Sequence, residues 1–240
     1  MSTLDPLFSS SFSVGEIRAA VEEAERFDTY VLVHTYLDAD IRRCLELGVK
    51  SIEHGHLIQE ETMKLLVQRD AFLVLNTAGF SPSQFLHPNL APGTPSGKKL
   101  RQLLADTKNL APLIKKYKPK VVHSVDTVLA TVEQARSHRD HEKWMFANMF
   151  GNFEALKSMT STAGELMALS GKRNPYQDGK LGVIKPGAYA DILVVDGNPL
   201  EDLSVLGANE KYLDAKPREA SHKTIRLIMK DGKVYKNTLK

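Results

Sequence analysis

Four short apolar segments, separated by segments with the apolar spacing of helices, constrain the fold of this chain more than any other feature. The apolar segments have the length of buried strands and lie at residues 30–34, 51–55, 71–75 and 120–124. Strands that alternate with helices at this spacing are typical of parallel βαβ units. We therefore predict an α/β fold built around a parallel sheet.

Helices are predicted between and after these strands. The first begins at a capping box formed by Ser13 and Glu16, in which each side chain bonds the backbone of the other residue. The stretch 81–97 is rich in proline and is expected to form a long loop. The other helices are expected at residues 38–48, 59–69, 100–117, 142–156 and 161–169.

The character of the sequence changes after residue 171. Two apolar segments, 190–196 and 224–229, predict strands, and the Asp231-Gly232 pair predicts a tight hairpin turn into a third strand at 233–235. Strands joined by a tight turn run antiparallel. We therefore divide the chain into an α/β part, residues 1–172, and a small β-rich tail, residues 173–240.

Composition excludes several classes of protein. Hydrophobic residues make up 42% and charged residues 25% of the 240 residues, so the chain is neither disordered nor a coiled coil. The net charge of +3 is too small to indicate a nucleic-acid-binding surface. No apolar run reaches the ~18 residues of a membrane span, and residues 1–13 lack the features of a signal peptide. A cytoplasmic protein without nucleic-acid or membrane partners is expected.

His34, His54 and Asp126 each lie at or just after the end of a predicted parallel strand. Ligands of parallel α/β folds gather beyond the C-terminal ends of the strands, so these side chains are expected to converge. Two imidazoles and a carboxylate suit Zn²⁺ or a similar divalent ion, and the single cysteine excludes a cysteine-based zinc site. The alternative is that each is a polar strand-end residue hydrogen-bonded to a loop.

Three segments resemble the amidohydrolase superfamily, and in particular its imidazolonepropionase-like branch, which includes prolidase-like dipeptidases. They are VHTY at residues 33–36, SIEHG at 51–55 and LGVIKPGAYADILVVDGNPL at 181–200. The segments follow one another in the order that the superfamily shows. The resemblance therefore covers essentially the whole chain.

The resemblance implies a (β/α)₈ barrel of the TIM type, with a divalent metal at its C-terminal face and a β-sandwich beside it. Zinc is the first candidate for that metal. His34 matches the metal-binding histidine that ends strand five, and His54 matches the one that ends strand six. Asp126 matches the aspartate that ends strand eight, which touches the metal and acts as the general base. The residues before it, Ser124 and Val125, depart from the usual Gly-Thr or Gly-Ser.

Two elements of the superfamily pattern are absent from this sequence. They are the His-x-His pair of strand one and the lysine of strand four. His54-Gly55-His56 spells His-x-His, but it belongs to the strand-six motif. A complete barrel takes ~250 residues, so 240 residues cannot hold both a barrel and a sandwich. We therefore expect the C-terminal half of a barrel, strands five to eight, followed by a sandwich portion, in a truncated chain of impaired activity.

Three further side chains are predicted to contact the substrate. Tyr36 and His56 lie just past the strand ends, and His138 follows strand eight. A tyrosine hydroxyl at the rim can donate to a substrate oxygen. The alternatives are a loop tyrosine for Tyr36, a solvated loop residue for His56, and a solvated helix face for His138 and His141.

The function expected from these residues is hydrolysis of C–N bonds in a small-molecule amide, cyclic amide or dipeptide, by a metal-activated water with Asp126 as base. The alternative is a non-catalytic half-barrel that acts by pairing with another chain. Metal content separates the two. A nucleotide-binding domain is disfavoured, because no Gly-rich phosphate loop follows a strand. Open barrel edges also favour a homo-oligomer.

Overall fold

A computed structural model describes residues 9–127, 131–212, 214–216 and 222–239. The chain divides into two compact units. The first unit comprises residues up to 124 together with 169–173, and the second comprises 125–168 together with the residues from 174 onward. Each unit has its own sheet, so the two are described in turn.

The first unit is built around a parallel four-stranded sheet, as the sequence predicts. Its strands are adjacent in chain order and each pairs in parallel with the next. They are β1 (Leu32–Leu37), β2 (Ser51–Leu57), β3 (Phe72–Leu75) and β4 (Lys120–His123). Because all the strands run in the same direction, their C-terminal ends lie along one edge of the sheet.

The described residues of the first unit form five α-helices: α1 (Val14–Arg26), α2 (Asp38–Glu46), α3 (Glu60–Gln68), α4 (Pro95–Asp106) and α5 (Leu110–Tyr117). The predicted capping box is confirmed at the start of α1, where Ser13 and Glu16 bond each other's backbone N–H. The single helix predicted over 100–117 is wrong. Thr94 caps a helix that begins earlier, with Pro95 in its first turn, and a 3₁₀ turn at Thr107–Asn109 separates α4 from α5. The predicted loop 81–97 contains two 3₁₀ turns, Pro82–Leu86 and Pro88–Leu90.

The residues of the first sheet become less buried from its middle strands toward β1. Every residue of β3 is buried, as are most of those in β2, whereas Leu32 in β1 is 58% exposed. Helix α1 buries Val21 but leaves Val14 exposed, and Phe27, the residue that follows the helix, is exposed as well. Single exposed apolar side chains of this kind are common on protein surfaces.

The part of the second unit that the structure describes combines three α-helices with an antiparallel sheet. The helices are α6 (Val132–Phe150), α7 (Asn152–Met159) and α8 (Ser161–Ala168), and the strands are β5 (Ile192–Val195), β6 (Ile225–Lys230) and β7 (Lys233–Asn237). Strand β6 pairs antiparallel with both neighbours. The predicted hairpin turn is confirmed: Asp231 and Gly232 have φ of +51° and +76°, the positive values that a type I′ turn requires.

None of the helices in the part of the chain that the structure describes is long and apolar enough to cross a membrane.

Candidate active site

The C-terminal edge of the parallel sheet gathers three histidines, a tyrosine and an asparagine. His34 and Tyr36 lie on β1, His54 and His56 lie on β2, and Asn76 directly follows β3. The histidines that were predicted from their positions at strand ends therefore lie at one edge of the sheet.

His34 and His54 face each other through one ring nitrogen each. Nδ1 of His34 and Nε2 of His54 are 2.9 Å apart, and the ring centroids are 4.4 Å apart at an interplanar angle of 79°. His54 is buried, whereas His34 is exposed. Two nitrogens at this distance share a single proton or a single cation. Solvent reaches the pair from the His34 side.

The backbone of β2 turns sharply at the site. His54 and the following Gly55 both have left-handed backbones, with φ of +73° and +59°. Such a conformation is costly for a non-glycine residue and breaks the regular alternation of side chains along a strand. The bend changes the direction in which His54 projects. Gly55 is needed here, because a Cβ at this position would lie 2.5 Å from Cδ1 of Leu73.

Replacing Gly55 by alanine is expected to lower the free energy of unfolding by about 2–4 kcal/mol, through backbone strain and the clash with Leu73. Gly93→Ala is the matched control, because nothing lies within 4 Å of a Cβ there and its φ is outside the left-handed range. The control is expected to change stability by less than about 1 kcal/mol. Urea denaturation of both variants measures the difference, and equal effects would contradict this account of the bend.

Asn76 fixes which nitrogen of His54 carries a proton. Its Oδ1 lies 2.8 Å from Nδ1 of His54, and a carboxamide oxygen only accepts, so Nδ1 donates. The opposite nitrogen, Nε2, is left with its lone pair toward His34. Gly79 makes room for Asn76, since a Cβ at 79 would lie 2.2 Å from Nδ2 of that asparagine. Asn76 is not among the site residues predicted from the sequence, although it follows a strand end just as the histidines do.

His56 and Tyr36 complete the wall of the site. His56 is buried within β2, so its interpretation as a solvated loop residue is wrong. Burial, and secondarily the neighbouring His54, hold the pKa of His56 well below its usual value, against an opposing effect of the Asn76 backbone. The ring of Tyr36 lies 5.0 Å from that of His34 and 5.0 Å from that of His54. Substrate contact by either residue stays a prediction.

Asp126 belongs to the second unit. Its side chain is exposed, and its φ of +47° is unusual for a residue other than glycine. The carbonyl of the preceding residue, Val125, lies 2.8 Å from Nε2 of His138.

The solvated helix face predicted for His138 and His141 is wrong, because both are buried on α6. His138 lies 2.8 Å from the hydroxyl of Tyr212 through Nδ1, and His141 stacks on Trp144 with ring centroids 5.7 Å apart. Burial is the largest cause of a lowered pKa in both histidines, and the Val125 backbone opposes it at His138. Substrate contact by His138 stays a prediction.

Two of the three predicted metal ligands are thus adjacent. Zn–N bonds of ~2.05 Å in a tetrahedral site place two histidine nitrogens ~3.3 Å apart, close to the 2.9 Å between His34 and His54. The tautomer that Asn76 imposes on His54 presents a lone pair, as a metal requires. No group of three or more His, Cys, Asp or Glu side chains that could hold a metal ion occurs within residues 9–127, 131–212, 214–216 and 222–239. The histidine pair fits as two ligands, and Asp126 as the third stays a prediction.

Comparison with known proteins places these features in a family. The sequence model of the amidohydrolase family matches residues 1–235. The ochratoxinase of Aspergillus niger is 25% identical over 227 residues, which are 95% of this chain and 42% of the relative. A solved amidohydrolase structure is 31% identical with a TM-score of 0.79 over 98% of this chain and 51% of that one.

A prolidase crystallised with N-methylphosphonate-L-proline is 30% identical, with a TM-score of 0.78 over 98% of this chain and 52% of that one. The chain therefore spans about half the length of these relatives. The family match extends over both units and includes the strand-end histidines. The chain belongs to the amidohydrolase family.

Proposed function

We propose that this chain carries the C-terminal part of a metal-dependent hydrolase that cleaves C–N bonds in amides, cyclic amides or dipeptides. The observation that carries the proposal is the pair of facing nitrogens of His34 and His54 at the C-terminal edge of a parallel sheet. The family match supports it, as do relatives that are named as an ochratoxinase and a prolidase.

His34, His54 and Asp126 would hold the metal, with zinc as the first candidate. When bound, a divalent metal supplies Lewis acidity toward the scissile carbonyl and lowers the pKa of a water. Asp126 accepts a proton from the attacking water and passes it to the leaving nitrogen. The Asp126 side chain is exposed, so water can reach its carboxylate.

Two side chains shape the rest of the reaction site. Tyr36 donates its hydroxyl proton toward the oxygen on which negative charge develops. His56 stays neutral, because burial keeps its pKa low, so it contributes a hydrogen-bonding ring without a positive charge beside the metal ligands.

The proposed architecture is half of a (β/α)₈ barrel. Residues 1–172 would supply strands five to eight as β1 to β4, and residues 173–240 would supply a portion of the β-sandwich. Support comes from the parallel order of the four strands, the antiparallel sheet of the tail and the half-length match to relatives. The other half of a barrel would cover the exposed apolar side chain of Leu32 at the β1 edge.

Zinc titration combined with hydrolysis assays tests the function. The purified chain is titrated with Zn²⁺ against a chromophoric chelator and then assayed on Xaa-Pro dipeptides and N-acyl amino acids. We expect one zinc site that depends on the histidine pair, together with weak hydrolysis. Absence of zinc binding at micromolar concentration would overturn the proposal.

The alternative is a non-catalytic half-barrel that acts by pairing with another chain, and the exposed apolar residues Leu32, Val14 and Phe27 favour it. The two functions differ in the role of the histidine pair. If the function is pairing with another chain, variants that lack the two histidines still pair. If the function is hydrolysis, the same variants lose their hydrolytic activity.

Replacing Asn76 by leucine is expected to weaken zinc binding by about 10–100-fold, because His54 loses the acceptor that fixes its Nδ1 proton. Asn76→Asp is the matched control, since an aspartate keeps an acceptor oxygen in nearly the same place. The control is expected to retain zinc affinity. Chelator competition measures both, with thermal unfolding to show that the variants fold; equal loss in the two variants would contradict the role of the acceptor.

A further inference from the structure

The short segment that carries Asp126 is held by a chain of hydrogen bonds within the second unit. The Val125 carbonyl lies 2.8 Å from Nε2 of His138, and Nδ1 of the same ring lies 2.8 Å from the Tyr212 hydroxyl. His138 and Tyr212 are both buried, with 7% and 5% of their surface exposed. The contacts therefore join a partly exposed segment to two buried side chains of the unit.

The direction of each hydrogen bond follows from the chemistry of the partners. A backbone carbonyl only accepts, so Nε2 of His138 donates to Val125. In a neutral imidazole the other nitrogen then accepts, so the Tyr212 hydroxyl donates to Nδ1. Tyr212 thus selects the tautomer of His138 that can hold the Val125 carbonyl. The rings also pack edge to face, with centroids 5.2 Å apart.

The neighbouring backbone shows why such support is needed. Asp126 has a φ of +47°, a left-handed conformation that residues other than glycine seldom adopt. A strained backbone persists only where surrounding contacts determine it. The anchored carbonyl belongs to the peptide bond that links Val125 to Asp126. Holding it fixes the orientation of that peptide plane, and with it the direction of the Asp126 side chain.

We propose that His138 and Tyr212 are positioning residues for Asp126, acting through the Val125 carbonyl rather than on the substrate. The proposal rests on the role of Asp126 given under the proposed function. Both ring nitrogens of His138 are engaged by partners of this unit. A direct contact with substrate would require breaking one of these bonds.

Three variants separate the contributions. His138→Phe keeps a ring but removes both hydrogen bonds. His138→Gln keeps a donor for Val125 and an acceptor for Tyr212, because the amide N and O have about the spacing of the ring nitrogens. Tyr212→Phe removes only the donor that selects the tautomer, and it is the milder change should His138→Phe fail to fold.

Hydrogen exchange of residues 125–127 is the first readout; Ser124 is left out because it belongs to the first unit, where its amide donates to the Leu75 carbonyl. His138→Phe is expected to speed exchange there at least tenfold, Tyr212→Phe less, and His138→Gln little. Exchange in β6 and β7, which lie in the same unit, serves as the internal control. Unchanged exchange at residues 125–127 in both His138→Phe and Tyr212→Phe would overturn the proposal, as would an increase that is equal throughout the unit.

Zinc affinity in a double-mutant cycle is the second readout. His138→Phe is expected to weaken Zn²⁺ binding about tenfold in the wild-type background, and to have no further effect when Asp126 is already alanine. Equal effects in the two backgrounds would show a general structural role and overturn the proposal. If Asp126→Ala leaves zinc affinity unchanged, the ligand assignment of Asp126 fails, and the exchange data alone decide whether His138 and Tyr212 hold the segment.

Discussion

Replacing His34 or His54 by alanine is expected to lower the affinity of the chain for Zn²⁺ by a factor on the order of 100 or more. Their facing nitrogens, 2.9 Å apart, supply two of the ligands in the proposed site. Loss of either leaves a single imidazole. Even changes to residues that only orient a metal ligand cost about 10–100-fold, so loss of a ligand itself costs at least as much.

Chelator competition with Zn²⁺ measures this prediction, and His87→Ala is the control. His87 belongs to the same unit but lies at the start of the Pro88–Leu90 turn, where its Nδ1 accepts from the Asn89 backbone. The control variant is expected to bind zinc as the wild type does. If His34→Ala and His54→Ala also bind zinc like the wild type, the two histidines form a hydrogen bond with each other but do not bind a metal.

Local sequence pattern and sheet topology agree at the strand ends, and there the sequence predicts the structure. Apolar runs of strand length gave the four parallel strands, and parallel strands carry their C-terminal residues to one edge. His34 and His54 followed from that rule. Asn76 also follows the end of a parallel strand. Asparagine is a weak metal ligand, however, so it is not selected when metal-binding residue types are sought. Its role depends on the Nδ1 of His54, which no sequence pattern reveals.

The prediction for α6 failed because tertiary packing outweighs composition. Its sequence distributes charged residues around the helix, which is typical of a solvated element. In the structure the buried residues of α6 include Asp140, Glu142, His138 and His141. Asp140 is paired with Lys143 at 3.0 Å and lies 3.4 Å from the imidazole of His222, so its burial is compensated by partners.

The partners of α6 are distant in sequence, which is why they could not be predicted. Tyr212 lies 74 positions after His138, and His222 is farther still. Contacts of this separation have no local signature. The anchoring of the Asp126 segment is therefore visible only in the folded unit.

The isolated chain is expected to form dimers or larger assemblies through the β1 side of the first unit. Among the described strands of this sheet, β1 lies at one end and pairs with β2 alone. An edge strand offers backbone donors and acceptors to a second chain, and Leu32 places an apolar side chain there that is 58% exposed. The β1 edge of a second copy of this chain can pair with the β1 edge of the first, which gives a dimer with two-fold symmetry.

Leu32→Lys is expected to raise the Kd of self-association at least tenfold, or ~1.4 kcal/mol, because a charge at the edge must be desolvated on pairing. Val67→Lys is the matched control: Val67 is 42% exposed on α3, away from the sheet edge, and the same charge there should leave the Kd unchanged. Sedimentation at several concentrations measures both. A wild-type monomer at tens of micromolar would contradict the expected assembly. Equal weakening by the two lysines would show that net charge, rather than the β1 edge, controls it.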